Sequence, residues 1–167
     1  LISKQTQLEE LNLSLMEINT FTVIAISDTG KKLTKLDLSF SQGVIDDLSA
    51  YMIAYNCPKL ETLNLSASDI TNKGVFFITQ NCPYITNFSI AGTYITDMAL
   101  ISIALHYPDL IRLETEFNNI TRIGVYNLLL RCKKLSHLNI LNDRLSINYI
   151  SHVYSQISIN NILRSIQ

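Results

Sequence analysis

Cysteine and histidine are the residue types in this sequence that could bind a metal ion or attack a substrate. The three cysteines are Cys57, Cys82 and Cys132, and no two of them form a C-x-x-C pair. All three occupy the same position within a repeated sequence unit, on the inward side of a predicted helix. This position indicates packing, because a free cysteine behaves as a small buried hydrophobe. We therefore predict no metal site, and because unpaired thiols fit a reducing compartment we expect a cytoplasmic location.

The histidines give no catalytic pattern either. His106, His137 and His152 do not converge with a serine or cysteine nucleophile, as nucleophilic catalysis requires. The chain has 5 glycines, and none of them forms the G-x-G of a phosphate-binding loop. We predict that the protein is not an enzyme and has no cofactor.

The overall composition limits the class of partner. Of the 167 residues, 47% are hydrophobic and 16% are charged, and the formal net charge is -1. With 13 basic and 14 acidic residues, the chain has no positive excess to attract nucleic acid or an anionic membrane. No apolar stretch reaches the roughly 18 to 20 residues needed to cross a bilayer. We expect a soluble protein that binds neither nucleic acid nor a membrane.

A repeated phrase is the strongest pattern in the chain. The phrase is L-x-x-L-x-L with substitutions, and its six copies are Leu8/Leu11/Leu13, Leu33/Leu36/Leu38, Leu60/Leu63/Leu65, Ile85/Phe88/Ile90, Leu110/Leu113/Thr115 and Leu135/Leu138/Ile140. Successive copies begin 25, 27, 25, 25 and 25 residues apart. An interval of about 20 to 29 residues is typical of leucine-rich repeats. Within each copy the inward leucines alternate with polar residues, which predicts a β-strand with one buried face.

A predicted helix follows each strand. Apolar or small residues recur at i, i+3, i+4 and i+7, the spacing of one buried helical face. The sets are Val23/Ile26/Ser27/Gly30, Ala50/Ile53/Ala54/Cys57, Val75/Ile78/Thr79/Cys82, Leu100/Ile103/Ala104/Tyr107, Val125/Leu128/Leu129/Cys132 and Ile150/Val153/Tyr154/Ile157. Thr71, Thr96 and Thr121 precede three of the helices and are suited to cap them.

These elements predict an α/β leucine-rich-repeat solenoid. One repeat cannot bury its apolar face alone, so successive strands pair in parallel and successive helices line the other side. Helices are wider than the spacing between strands, so the sheet lies on the concave face and the helices on the convex face. We expect residues 1–167 to form a single domain of about six repeats. The chain has no initiator methionine and opens near the middle of a repeat, so we expect a fragment of a longer protein.

The repeats resemble the cysteine-containing leucine-rich repeats of the F-box/LRR (RNI-like) family. The segments that carry the resemblance are Cys57-Pro58-Lys59-Leu60, Cys82-Pro83-Tyr84-Ile85, Leu63-Asn64-Leu65-Ser66 and Ile95-Thr96-Asp97. The second cysteine of the family pattern is replaced here by Ser41 or Ser68. The resemblance implies substrate recognition as part of a ubiquitin ligase adaptor. Relatives also serve as scaffold subunits of large assemblies such as the axoneme and as bacterial effectors.

Outward strand positions form columns on the predicted concave face, and larger charged residues gather in the later repeats. The predicted protein-binding residues are Lys35, Asp37, Asn64, Asn87, Arg112, Glu114, Glu116, His137 and Asn139. A solvated strand face is polar in any protein, so both interpretations of these columns stay open at this point. On the helices, Met52 and Phe77 project nearly opposite the buried stripe, which predicts a second, convex docking surface.

The sequence therefore predicts a non-catalytic protein-protein interaction module. The principal hypothesis is an F-box/LRR-like substrate-recognition domain. The alternatives are a structural scaffold subunit of a larger complex and a bacterial leucine-rich-repeat effector. The identity of the protein partner does not follow from the sequence.

Overall fold

A computed structural model describes residues 7–41 and 44–140, together with residues 152, 153, 155 and 156. Within these residues six three-residue strands alternate with five ten-residue helices. The strands are β1 (Glu10–Asn12), β2 (Lys35–Asp37), β3 (Thr62–Asn64), β4 (Asn87–Ser89), β5 (Arg112–Glu114) and β6 (His137–Asn139). The helices are α1 (Thr20–Thr29), α2 (Asp47–Asn56), α3 (Asn72–Asn81), α4 (Asp97–His106) and α5 (Arg122–Arg131).

The strands form one parallel sheet in chain order, β1 to β6. Equivalent repeat positions lie side by side throughout, so that Leu36 pairs with Leu63 and Leu113 with Leu138. The interval of 27 residues between Leu33 and Leu60 does not shift this register. Nine residues separate β2 from α2, against seven between strand and helix in the other described repeats, so the longer connection absorbs the difference. The predicted parallel pairing is confirmed.

The core lies between the sheet and the helices. Inward strand residues from the second repeat onward are buried, as are nearly all residues of the predicted helical faces. In the first repeat, Leu8, Leu11 and Leu13 are partly buried and pack against this core. Leu129 is half-buried. In the sixth repeat Val153 is buried and helical, while Ile150, Tyr154 and Ile157 lie outside the described residues.

Side-chain caps begin each helix. The predicted threonine caps are confirmed, since the hydroxyls of Thr71, Thr96 and Thr121 accept backbone N–H groups of the first helical turn. Asn19 and Asp46 cap α1 and α2 in the same way, and both sit in extended backbone. These caps satisfy N–H groups that a helix leaves without internal partners.

The first residue of one helix also bonds the start of the next helix. The Asp47 carboxylate accepts the N–H and the hydroxyl of Thr71 and the N–H of Gly74, each at 2.8 Å. Asn72 makes two such bonds to Thr96, both at 2.9 Å. Asp97 accepts the N–H of Thr121 at 2.7 Å. These side chains fix the distance between successive helices at the edge where strands lead into helices.

None of the described helices is both long enough and apolar enough to cross a membrane.

Candidate protein-binding surface

The three cysteines lie in one internal column. They are buried at equivalent points where α2, α3 and α5 end, and all three are free thiols. The thiols of Cys82 and Cys132 donate to backbone carbonyls of the preceding repeat, at 3.5 Å to Cys57 and 3.3 Å to Tyr107. Burial raises the pKa of Cys57 and Cys82 to about 12 and that of Cys132 to about 11. Such thiols stay protonated near neutral pH and pack the core, because a thiolate is needed for nucleophilic attack or metal binding.

Tyrosine and glycine complete this column. Tyr107 fills the position in the fourth repeat, is buried, and donates its hydroxyl to the Ile78 carbonyl at 3.1 Å. Gly30 fills the position in the first repeat, where a Cβ would lie 2.2 Å from the Cys57 sulfur. Among the described residues, no group of three or more His, Cys, Asp or Glu side chains is arranged to hold a metal ion.

The outward face of the sheet forms a groove of about 610 Å³ across β1 to β5. Two columns of outward strand residues run along this face in the predicted register, and their members on β1 to β5 line the groove. The first column is Glu10, Lys35, Thr62, Asn87, Arg112 and His137, and the second is Asn12, Asp37, Asn64, Ser89, Glu114 and Asn139. The structure therefore brings eight of the nine predicted concave residues onto one surface. The exception is Glu116, which is half-buried and lies in the turn two residues beyond β5.

In the early repeats, the side chains of the second column form hydrogen bonds with neighbouring residues of this protein. An Asp37 oxygen accepts the Ser39 N–H at 2.9 Å and its hydroxyl at 2.7 Å, while the other oxygen accepts the Asn64 amide at 3.1 Å. Asn64 in turn accepts the Ser66 N–H at 3.1 Å. These side chains support the turns that follow the strands, as short Asp and Asn side chains commonly do. Ser39, two residues beyond β2, lies in such a turn and is buried.

In the later repeats, a charged network occupies the same face. The Arg112 guanidinium donates to Glu114 through Nε at 3.0 Å and through Nη2 at 2.8 Å. The other Glu114 oxygen accepts the Ser89 hydroxyl at 3.1 Å, and His137 Nε2 lies 4.0 Å from the carboxylate. Ser89 is outside the predicted set, since a serine in a polar column gives no sequence pattern that separates it from its neighbours.

A second ion pair lies at the opposite end of the face. Lys35 Nζ is 2.6 Å from the Glu10 carboxylate. The hydrogen bond that Lys35 donates to Glu10, together with the negative charge of that carboxylate, raises the pKa of Lys35. Both side chains are exposed, and a pair of this kind contributes little to stability in water. Asn87 is placed between the two ends, with a long contact of 3.4 Å from its amide to the Thr62 hydroxyl.

The convex surface differs from its prediction. Met52 is partly buried and packs against the core, and Phe77 is half-buried, with its ring 5.1 Å from the Tyr51 ring and the Lys73 ammonium 5.9 Å above it. Both side chains are therefore less exposed than their helical angles indicate, and a docking surface at Met52 and Phe77 stays a prediction. Apolar side chains that are more exposed on the helices include those of Tyr51, Tyr55, Phe76, Leu105, Tyr126 and Leu130.

Comparison with known proteins supports the repeat fold. A family model described as "Leucine Rich repeat" matches residues 56–78, which include β3 and most of α3. No curated protein matches the chain. The fold is similar to that of leiomodin-1 actin-binding site 2, with a TM-score of 0.58 and 13% identity over 87% of this chain and 92% of that one.

Two further solved structures are similar. Internalin C2 from Listeria monocytogenes has a TM-score of 0.54 and 19% identity, over 85% of this chain and 67% of that one. The C-terminal domain of tropomodulin from Caenorhabditis elegans has a TM-score of 0.54 and 11% identity, over 99% of this chain and 93% of that one. Identities this low show a shared fold alone. The chain is an α/β leucine-rich-repeat solenoid.

Proposed function

We propose that this chain is a non-catalytic protein-binding module whose partner contacts the concave face, with the strongest contacts at Arg112, Glu114 and His137. The observation that carries the proposal is the charged network of β4 to β6, in which one carboxylate contacts Arg112 and Ser89 and lies beside His137. The other outward side chains of this sheet are mostly small and polar, and several are committed to local turns.

Preorganisation supports this choice of site. The carboxylate of Glu114 holds the Arg112 side chain in one orientation, so less conformational entropy is lost when a partner binds there. Arginine offers several donors in a fixed plane, which suits it to recognise carboxylate or carbonyl groups of a protein partner. The Arg112 and His137 side chains remain about half exposed, so both are available to a partner.

The experiment compares the two ion pairs of the concave face. The double variant Arg112→Ala/Glu114→Ala should weaken capture of partner proteins from an extract of the producing cells by at least about tenfold, as loss of a central charged contact does. The matched control is Glu10→Ala/Lys35→Ala, which removes an exposed pair from the same face and should retain capture. Neither change should lower the free energy of unfolding by more than about 1 kcal/mol.

Two outcomes would contradict the proposal. If both double variants captured partner proteins as well as the unsubstituted chain does, the β5 network would not belong to the binding site. Equal loss in both, at unchanged stability, would show that the contact depends on the charge of the whole face.

Within this proposal, we assign the module to substrate recognition in a cytoplasmic F-box/LRR-like receptor. The assignment rests on the repeat phrases of the second to fourth repeats and on three buried, unpaired thiols. It requires that the full-length protein bind a ubiquitin ligase adaptor through a separate F-box. Co-purification of the full-length protein with such an adaptor tests this requirement directly.

The scaffold alternative is favoured by a different observation. Tyr55, Leu105, Tyr126 and Leu130 are exposed on the helical side, and exposed apolar residues on a convex surface are typical of subunits that pack within an assembly. Leiomodin-1, which shares the fold, carries an actin-binding site in a domain of this kind. If the protein is a scaffold, substitution of Tyr126 with lysine should release it from a large complex, whereas an F-box receptor should tolerate the change.

A further inference from the structure

The turn after each of the strands β1 to β5 places one residue in the left-handed backbone region. The five residues are Leu15, Phe40, Ala67, Gly92 and Phe117, with φ between 54° and 62°. A bulky side chain is unfavourable in this region, and glycine is the residue that occupies it without strain. Gly92 shows that the repeat turn accepts glycine in this protein.

Burial does not compensate for this strain. Leu15 is 76% exposed, Phe40 is 61% exposed and Phe117 is 78% exposed. An exposed aromatic residue in this strained backbone conformation gives less folding stability than glycine would give at the same position. Folding therefore does not account for these three side chains, and strain of this kind is found where binding requires it.

The three residues belong to a continuous apolar edge, which we name the strand-end edge. It consists of Leu15, Met16, Phe40, Tyr94 and Phe117, all exposed. Leu15, Met16 and Phe40 line a cavity of about 410 Å³ between the first two repeats. Phe40 and Phe117 are three strand spacings apart, about 14 Å, with the small Ala67 and Gly92 between them. A partner helix that lies along the edge, at about 1.5 Å per residue, covers this distance with about ten residues.

The charges of the two sheet edges are opposite. The segments that follow the strands, 13–19, 38–46, 65–71, 90–96 and 115–121, contain four acidic residues and no lysine or arginine. The segments that precede β2 to β6, 30–34, 57–61, 82–86, 107–111 and 132–136, contain five lysines and two acidic residues. Lys73 and Arg122 are the nearest positive residues along the chain, and both lie in first helical turns beyond the strand-end edge.

We infer that the strand-end edge docks a basic amphipathic helix of a partner protein. The apolar face of this partner helix contacts Leu15, Phe40 and Phe117, and the lysine or arginine residues of the helix lie beside Glu17 and Glu116. Apolar anchors set in a rim of complementary charge are the usual arrangement for recognition of a helix in a groove. This surface is separate from the Arg112 network, so the inference does not rest on the proposed function.

Stability is the first readout. The double variant Phe40→Gly/Phe117→Gly removes both aromatic rings and relieves the left-handed strain, so its denaturation midpoint should equal or exceed that of the unsubstituted chain. A clear fall in the midpoint would give the two rings a structural role and would overturn the inference.

Binding is the second readout, measured with three labelled peptides of about 18 residues, long enough to form a helix. The first is built of leucine and lysine with the leucines on one helical face, the second has the same composition in scrambled order, and the third has glutamate in place of lysine. The unsubstituted chain should bind the first peptide at least tenfold more tightly than the other two. The Phe40→Gly/Phe117→Gly variant should lose at least tenfold of that affinity.

Matched variants locate the contact. Tyr84→Ala/Ile111→Ala removes two exposed apolar side chains from the opposite edge and should bind the basic peptide normally, as should Arg112→Ala/Glu114→Ala. Glu17→Lys/Glu116→Lys should shift the preference toward the acidic peptide. The inference is overturned if the basic peptide does not bind at millimolar concentration, if the acidic peptide binds as tightly, or if the glycine variant retains binding. Self-association of the chain that the glycine variant abolishes would also overturn it, because the occupant would then be a second copy.

Discussion

Replacement of Gly74 with alanine is expected to destabilise the protein, although the same change in an ordinary helix is favourable. Gly74 lies in the first turn of α3, and alanine there would gain about 1 kcal/mol from helix propensity. A Cβ at Gly74, however, would lie 2.7 Å from Oδ1 of Asp47, 3.2 Å from the Ala50 Cβ and 3.3 Å from the Ile70 Cβ. Overpacking of this kind typically costs about 1 to 3 kcal/mol. The net loss should therefore be up to about 2 kcal/mol.

The cause of the clash is the bond between repeats. Asp47 reaches the N–H of Gly74 because its two oxygens can accept several donors at once. In the fourth repeat the equivalent residues are Asn72 and Ala99. Asn72 has one acceptor oxygen, which takes the Thr96 N–H, while its amide group donates to the Thr96 hydroxyl. The Ala99 N–H bonds to the Thr96 carbonyl instead, at 3.0 Å, and its Cβ is accommodated.

A double-mutant cycle isolates this clash. Gly74→Ala, Asp47→Ala and the double variant would be compared by equilibrium denaturation in urea, followed by far-ultraviolet circular dichroism. In the Asp47→Ala background, Gly74→Ala should cost at least about 1 kcal/mol less than in the unsubstituted chain, because Oδ1 of Asp47, the atom closest to the added Cβ, is then absent. Each kcal/mol corresponds to about 2 to 4 °C in the melting temperature for a chain of this size.

Ala99→Gly provides the control, because it should show the ordinary sign and lose about 1 kcal/mol or more. Additivity of the cycle within about 0.5 kcal/mol would refute the reasoning. Stabilisation of the otherwise unsubstituted chain by Gly74→Ala would refute it as well. Unchanged denaturant slopes across the series would show that the same unit unfolds in every variant.

Two further predictions concern the core. Leu63→Ala removes a fully buried side chain from the central part of the sheet and should cost about 2 to 5 kcal/mol, whereas Thr62→Ala on the outward face should change the unfolding free energy by about 0.5 kcal/mol or less. The thiol pKa of Cys82 is about 12 in the folded chain against 9.0 for an ordinary thiol, so the folded state retains a proton that the unfolded state loses. Stability should therefore fall as pH rises from about 9 to 12, and Cys82→Ala should make this dependence less steep. An unchanged slope in that variant, measured by urea denaturation across the same pH range, would contradict the assignment.

Much of the fold follows from one periodicity. The spacing of Leu36, Leu63 and Phe88 places inward residues on adjacent strands, and parallel pairing follows because each strand must share its helix layer with the next. The caps at Thr71, Thr96 and Thr121 follow as well, because a threonine hydroxyl directly before a helical pattern commonly accepts a backbone N–H of the first helical turn. These features are local or repeat at a fixed interval, so each copy of the repeat reinforces the same prediction.

The candidate site was less predictable. The columns of the concave face follow from alternation along the strands, but the hydrogen-bond and ion-pair partners of each side chain do not. Asp37 and Glu114 occupy the same repeat position, yet Asp37 is committed to a turn and to Asn64 while Glu114 holds Arg112. One extra methylene in the glutamate side chain, together with an arginine on the same strand, makes this difference, and it depends on distances between strands.

The sequence by itself determined the repeat length, the buried faces, the strand register and the outward columns of this protein, because each depends only on which residues recur at a fixed interval. The tertiary structure decided how closely neighbouring repeats approach, and therefore which flanking side chains are covered. Met52 and Phe77 lie at exposed helical angles by sequence, yet Met52 is partly covered by the core and Phe77 by the Tyr51 ring of the preceding helix. It also decided the left-handed turns at Phe40 and Phe117, since a backbone angle is imposed there by the stacked sheet against the preference of the residue itself.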